Sequence, residues 1–512
     1  MEPHPSKRGA MEEEHDRLSG LPDDLLHSIL RSLPLRHAAR TSALSRRWAR
    51  RWLRALASSA VLDFTDRDFA RGQPPARAAA TVGLCLRLHA EHGAPLDVLR
   101  VSLVCPSADA GAFGRDAVGW VATAVARGAR ELEVDLTHTA GGQDGDGSAF
   151  LELPGDLFLA KNSLERFALG GFSLRAVPSG AAGLAGLRSL SLSHADVTDE
   201  AVRGLLSSCR DLEFLSLRCC HQLTSVKIAG DKLRVLELVG CPAVRELRVA
   251  ATALESFCFH GDIVYSTDDD RVPAVDLGAT PALRDAYLSH LGFGDIDNDP
   301  DDHEYAYSDL LSCVAHARTL TLCSAGLMLA YDTDVNGMTN LQELQLLMAS
   351  LDEDDDLERK QLGLSSLLES VSSFFQVTPL PLLERLFIRI PGDPAGGTAA
   401  ALTGELNDSG IFLYGYDIVL DHLRFIKVVN FHGTRCELKL LVFLMKRAPA
   451  LEDVVLVTVE AEGAPGDEWL KILQGRLSAM PMKASPEARV TVCRPSGDGS
   501  RKPAHRRFYH EE

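Results

Sequence analysis

The chain has 512 residues, 46% hydrophobic, 24% charged and only 6% aromatic, and Lys+Arg 53 against Asp+Glu 71 leaves a net charge of −18. That composition excludes a chain disordered throughout, and the negative balance argues against general binding to nucleic acid or to anionic membrane surfaces. Met1 to Leu18 has no apolar core of signal-peptide length and no run of about 18 apolar residues occurs anywhere, so an intracellular protein of cytoplasm or nucleus is expected.

Residues 1–15 are polar and are expected to be disordered. Order is expected from Asp16. In Leu21-Pro22-Asp23-Asp24-Leu25-Leu26-His27-Ser28-Ile29-Leu30, Pro22 suits the first helical position and the two acids fall in the first turn, where the helix dipole favours anions. Leu25, Leu26, Ile29, Leu30 and Leu33 make one apolar stripe, and Pro34 stops the helix. A second helix is expected through Ala38 to Leu44 and a third through Arg46 to Trp52. Residues 31–56 hold eight arginines and no acid. A nucleic-acid patch is one reading of them; arginine stems that cover apolar surface and pair with acidic partners are the preferred one.

This segment, with Leu18-Ser19-Gly20-Leu21-Pro22-Asp23-Asp24-Leu25-Leu26 followed by Ala39-Arg40-Thr41-Ser42-Ala43-Leu44-Ser45-Arg46-Arg47-Trp48, resembles the F-box of plant F-box proteins. Trp52 stands where the family often has a Leu-Trp pair, a small departure. The resemblance implies docking on a Skp-type adaptor, and through it on a cullin-RING ubiquitin ligase, by Leu21, Pro22, Leu25, Ile29, Leu30, Leu44 and Trp48. The plainer alternative is a helical hairpin that caps a solenoid.

Between about 160 and 460 a unit apolar-x-x-apolar-x-apolar recurs, as at Leu187/Leu190/Leu192, Leu212/Leu215/Leu217, Leu233/Leu236/Leu238 and Leu254/Phe257/Phe259. Its last two apolar positions lie two apart, so they share one side of a strand and stack on the next turn, the logic of a leucine-rich repeat. Thr198 to Leu206 reads as a capped helix on one return path. From Leu212 to Phe259 the starts fall only 10 or 11 residues apart, so each turn there is expected to carry two short strands and no helix. Positions between and after the core pair, namely Ser191, Ser216, Arg218, Glu237, Cys258, His260, Gln345, Phe387 and Arg389, are the candidates for holding a target protein, chosen by phase alone.

In the last third, Leu423 to Val429 is strand-like and Thr434-x-x-Glu437 is a capping box before an apolar helix face. The stretch His422 to Arg435, with Ala448 to Glu452, resembles the FBD domain found after leucine-rich repeats in plant F-box proteins. Physically this block is expected to close the last exposed edge of the solenoid. The expected architecture is α/β: a three-helix F-box (16–60), a leucine-rich-repeat solenoid (61–416), an FBD-like terminal block (417–460), a terminal strand region (461–495) and a mobile tail (496–512).

Eleven cysteines without a C-x-x-C pair read as free thiols in a reducing compartment. Enzyme signatures are absent. Gly171-Phe172-Ser173-Leu174-Arg175 lacks the closing Gly of a nucleophile elbow, His303-Glu304 is followed by Tyr307 where a zinc protease has its second His, and no phosphate-binding Gly-Lys-Ser/Thr loop occurs. The sequence therefore reads as a non-catalytic substrate receptor without cofactor or metal, whose partners are the adaptor and an unidentified target protein. The alternative is a repeat scaffold that binds its partner without ubiquitination. Asp295, Asp297 and Asp299 imitate a calcium loop, but Pro300 replaces its glycine and Ala306 its closing Glu. Calcium is expected to leave the melting temperature unchanged; a saturable rise that Asp297→Ala and Asp299→Ala abolish would contradict this.

Overall fold

The computed structural model describes residues 21–505, leaving aside 49–50, 67–68, 70, 72–73, 104–109, 138–149, 160–161, 176–180, 262–274, 279, 290–309, 324–336, 349–370, 373, 377, 391–417, 434, 460–466 and 479–483. The expected disordered stretch 1–15 and the acidic segments at 295–304 and 352–356 lie outside the described residues. The chain divides into two compact units at Leu187/Arg188.

The first unit begins with α1 (Asp23–Ser32), α2 (Leu35–Arg40) and α3 (Arg51–Ala57). Pro22 sits at the N-cap, one residue before its expected place, and Asp23 and Asp24 fill the first turn. Leu26 and Leu30 of α1 pack on Ala38, Trp48 and Ala55, with Leu21, Leu33 and Trp52 against this cluster. The third helix starts later than expected because residues 46–48 form a turn that folds Trp48 inward.

Beyond the helices come β1 (Val61–Phe64), β2 (Val98–Ser102), β3 (Glu131–Asp135) and β4 (Arg166–Gly170), parallel and in register. Helices α4 (Pro75–His92) and α5 (Ala110–Ala126) fill the return paths before β2 and β3. Leu62, Leu99, Leu132 and Phe167 stack, as do Phe64, Val101, Val134 and Leu169. The repeat pattern thus starts well before residue 160. Leu96/Leu99/Val101 and Ala129/Leu132/Val134 fit the same unit, and the long helices between them hide the rhythm.

In the second unit β5 (Ser189–Ser193), β6 (Phe214–Arg218), β7 (Val235–Val239), β8 (Ser256–His260), β9 (Asp285–Ser289), β10 (Thr319–Cys323), β11 (Glu343–Leu347), β12 (Arg385–Arg389), β13 (Phe425–Phe431), β14 (Asp453–Thr458) and β15 (Arg489–Cys493) form one parallel ladder. Leu190 pairs with Leu215, Leu215 with Leu236 and Leu236 with Phe257, as the phase of the units requires. Each such side chain is buried to 2% exposure or less. Full burial of a Leu or Phe contributes about 1.5–3 kcal/mol, so the stacked pairs dominate the stability.

Between β5 and β6, α6 (Asp199–Ser208) opens on Thr198, whose Oγ1 accepts from the Ala201 N–H at 3.3 Å. Between β6 and β8 the turns are too short for a helix. Ser225–Ala229 and Glu246–Ala250 there, with Val275–Asp276 before β9, form a second parallel sheet, with Val226, Leu247 and Val275 in register.

Near the end, α7 (Arg435–Arg447) lies between β13 and β14, and α8 (Asp467–Ser478) between β14 and β15. Glu437 reaches back to accept from the N–H groups of His432 and Gly433, at 3.0 and 2.6 Å. Gly433 has φ +77°, and a Cβ there would meet the Trp469 ring at 2.8 Å, so both backbone and space demand glycine. Two expectations change. Strand β15 pairs onto β14, so the block 417–460 does not end the ladder. Residues 496–505, expected in a mobile tail, instead begin in a 3-10 turn (Pro495–Gly497) and pack on the sheet.

On the second sheet Glu246 accepts from the Ser225 hydroxyl and faces Lys227 Nζ at 3.1 Å and Arg248 Nε at 2.6 Å. The Ser225 hydrogen bond, then the two cations, pull its carboxyl from an ordinary 4.5 down to about 2. A depressed carboxyl contributes stability that is complete above about pH 4.5 and lost as pH falls through about 2. Glu246→Gln is therefore expected to flatten the decline of the denaturant midpoint across that window; an unchanged acid slope would contradict it.

Candidate functional site

Two surfaces carry the candidate residues, one in each unit. On the helical module, Leu25 and Ile29 lie four residues apart on α1, so they stand one above the other on its outer face. They are 52% and 38% exposed, Leu44 is 56% exposed, Pro22 is exposed and Leu21 is half-buried. Leu30 and Trp48, expected among the contact residues, are corrected here: both are 2% exposed and belong to the module's own core. The stripe read from the sequence was one face, whereas the helix splits it, Leu26 and Leu30 inward and Leu25 and Ile29 outward.

Two arginines of this region serve the module. Arg47 and Arg51 both bind the Asp23 carboxylate, Arg51 at 2.8 Å, and Arg47 Nη2 also donates to the Leu21 carbonyl at 2.7 Å. Hydrogen bonds from Arg47, then Arg51, hold the Asp23 carboxyl below its usual range. The start of α1 is thus clamped to the turn that carries Trp48. Further along this unit, Arg100 on β2 bridges Asp63, Glu131 and Glu133 at 3.4, 2.9 and 3.8 Å.

On the second unit, register fixes which side chains share the sheet face opposite the leucine pairs. Ser191, Ser216, Glu237, Cys258, Tyr287, Thr321, Gln345, Phe387, Lys427, Val455 and Thr491 form one row across it. Arg218, His260 and Arg389 lie in the row beside it. The phase argument therefore places its nine candidates on one face of one ladder.

Exposure divides them. Ser191, Arg218, Glu237, His260 and Arg389 are partly exposed. Ser216, 1% exposed, donates to Glu237 at 2.8 Å, and Arg218 Nε lies 3.8 Å from the same carboxylate. Cys258 packs with Val239 and Tyr287. Gln345 and Phe387 are fully buried: Gln345 accepts from Thr321 at 3.1 Å and donates to Glu343 at 2.6 Å, while Phe387 lies against Phe425, Val429, Val455 and Val457.

What covers part of this face is the chain itself. His505 joins Asp285 at 3.0 Å and Thr321 at 2.5 Å, and its ring stands edge-on to Tyr287 at 5.9 Å. The Ala504 N–H donates to Glu343 Oε1 at 2.8 Å, and Arg385 holds the other oxygen of Glu343 at 2.8 Å. Asp498 receives the fully buried Lys427 ammonium at 2.5 Å, and Lys427 also donates to the Arg501 carbonyl at 3.3 Å. Burial pushes the Asp498 carboxyl up, but hydrogen bonds from Lys427 and Ser500 prevail and hold it low. Sequence reasoning missed Tyr287, Thr321 and Lys427, although the rule of the position between the core pair, applied to the units at 286/288, 320/322 and 426/428, points to each of them.

Comparison with known proteins identifies the two domains. The model for the leucine-rich-repeat domain of At1g61320/AtMIF1 matches residues 92–489, and the F-box domain model matches residues 18–54. The chain belongs to the F-box/leucine-rich-repeat family. Among Arabidopsis thaliana relatives, the F-box protein At5g03100 is 25% identical over 245 residues, 46% of this chain and 69% of that protein. The FBD-associated F-box proteins At4g10400 and At5g38590 are 28% and 32% identical over 292 and 209 residues, which cover 55% and 40% of this chain and 63% and 45% of theirs. The aligned stretches reach only part of these relatives' lengths.

In this F-box/leucine-rich-repeat chain, the described residues contain no group of three His, Cys, Asp or Glu placed to hold a metal ion, and no helix among them is long and apolar enough to cross a membrane. The described cysteines carry free thiols, and burial pushes Cys85 up to about 11 and Cys209 up to about 12, values far from those of a nucleophile.

Proposed function

We propose that the protein is a substrate receptor of a Skp-cullin-F-box ubiquitin ligase: the F-box seats it on the adaptor, and the repeat face holds a target protein for ubiquitination. The observation that carries this reading is the pair Leu25 and Ile29, apolar and exposed on the outer face of α1 within the segment that matches the F-box. Exposed leucine and isoleucine on a small helical module cost stability in water and gain it under a partner. Pro22 and Leu44 are exposed as well, and we assign them to the same contact. The clamp of Arg47 and Arg51 on Asp23 fixes the angle of α1 before docking.

The acceleration in such a receptor comes from proximity. A target held on the repeat face meets a ubiquitin-charged conjugating enzyme at high effective concentration, and no side chain of this chain takes part in the bond chemistry. We read residues 417–460, with Gly433 locked against Trp469 and Glu437 capping α7, as the FBD-like block; two relatives carry FBD-associated in their names.

The test replaces the two outward residues with charge. Burying each is worth up to about 1.5–3 kcal/mol and a buried carboxylate adds its desolvation, so Leu25→Asp with Ile29→Asp is expected to weaken adaptor binding by about two orders of magnitude or more. Both positions are exposed, so the melting transition of the chain is expected to stay in place, unlike that of Leu30→Asp, which breaks the core. Undiminished adaptor capture by the folded double variant would reject the assignment. Lost capture with unchanged target turnover in cells would favour the scaffold without ubiquitination.

A further inference from the structure

The covered part of the repeat face has the chemistry of a peptide-binding site, and its present occupant is attached in an unusual way. Segment 494–505 joins no strand ladder; its polar ties to strands β9 to β13 run through side chains on the sheet: Asp285 and Thr321 to His505, Glu343 to the Ala504 amide, Lys427 to Asp498 and to the Arg501 carbonyl. Of its side chains Pro503 is buried, whereas Ser496, Arg501, Lys502 and Ala504 are exposed. The segment therefore buries little apolar side chain of its own and is held mainly by polar contacts, with the Arg501 guanidinium 6.0 Å above the Phe425 ring.

The sheet side is built differently. Lys427 alternates with Ile426 and Val428, which face the repeat core, so its ammonium stands on the open face. Glu343, buried to 4% exposure, is held by Arg385 and Gln345 within its own sheet. The contacts of Glu343 with Arg385 and Gln345 do not involve the segment. Removal of segment 498–505 would leave on this face a cation at β13, a carboxylate acceptor at β11 and, at β9 and β10, a second carboxylate beside the Thr321 hydroxyl. That set reads an extended chain with a carboxylate at one position and an imidazole or cationic side chain seven residues later, which is the spacing of Asp498 and His505.

We propose that the face of β9 to β13 is a site for an extended peptide of that chemistry, that residues 498–505 are its exchangeable resident, and that a target segment enters by displacing them. The proposal deepens the receptor reading, on which it rests for the identity of the face. It divides the repeat surface in two: Ser191, Arg218, Glu237 and His260 on β5 to β8 are already partly exposed, while Thr321, Glu343 and Lys427, which the segment holds, are reached only after exchange.

The test uses the full chain and a fluorescent synthetic peptide with the sequence of residues 494–505. Asp498→Ala with His505→Ala in the chain weakens the resident and is expected to raise capture of the peptide at least about tenfold over the unaltered chain, one charge-assisted hydrogen bond being worth about that much. Adding Asp285→Asn to this variant is expected to remove the gain. Capture by the folded double variant no better than by the unaltered chain would overturn the proposal. If the double variant fails to fold, segment 498–505 is structural and the proposal also falls. Hydrogen exchange on the unaltered chain gives an independent reading: the amides of 500–505 should exchange at least about a hundredfold faster than those of β11 and β12, since a segment that leaves by local opening opens more often than the ladder beneath it. Equal protection would overturn the proposal as well. Neither readout involves adaptor or ubiquitin, so failure here and failure of the ligase reading are told apart.

Discussion

The stacking of two apolar side chains, two residues apart on one strand, on the same pair in the strand beside it is the constraint on which the second unit depends. Because the side-chain period of a strand is two, a slip of one residue would turn every such pair to the opposite face. Leu190 over Leu215, Leu215 over Leu236 and Leu236 over Phe257 therefore fix the register of β5 to β8, and the same pairing runs on to Val490 and Val492 in β15. Register in turn decides what shares the opposite face. Ser216 bonds Glu237 across adjacent strands, Thr321 bonds Gln345, and Arg385 bonds Glu343, each because the leucines beneath them are in phase.

Much of this was legible in the sequence. The unit spacing forecast the parallel pairs, the helix capped by Thr198, and the double-strand turns between β6 and β8. The density of the F-box match forecast a helical module that the comparisons bear out. What escaped notice did so for physical reasons. The first repeats, with Leu99/Val101 and Leu132/Val134, are set apart by α4 and α5, so distance along the chain conceals their common period. Leu30 and Trp48 were grouped with Leu25 and Ile29 because an apolar stripe in sequence does not say which edge meets the core, and only the turn that carries Trp48 inward decides it. The role of residues 498–505 left no apolar signal at all: the segment is polar and glycine-containing, and its order comes from partners more than 70 residues away in sequence, Lys427 among them.

Charge is distributed to match. The acidic total of the chain coexists with an arginine-rich F-box, where Arg47 and Arg51 are taken up by Asp23. On the repeat face the buried ammonium of Lys427 is tolerable because Asp498 and the Arg501 carbonyl meet it.

The most direct measurement of the account is the reactivity of individual lysines toward a small amine-specific reagent in the native chain, read by mass spectrometry. Lys227 and Lys232 have side chains 50% and 61% exposed, whereas that of Lys427 is 0% exposed beneath residues 498–505. The account predicts that Lys227 and Lys232 react readily while Lys427 stays protected, and that Lys427 becomes reactive when Asp498→Ala and His505→Ala loosen the segment above it. Reaction of Lys427 at the rate of Lys232 in the unaltered chain would contradict it.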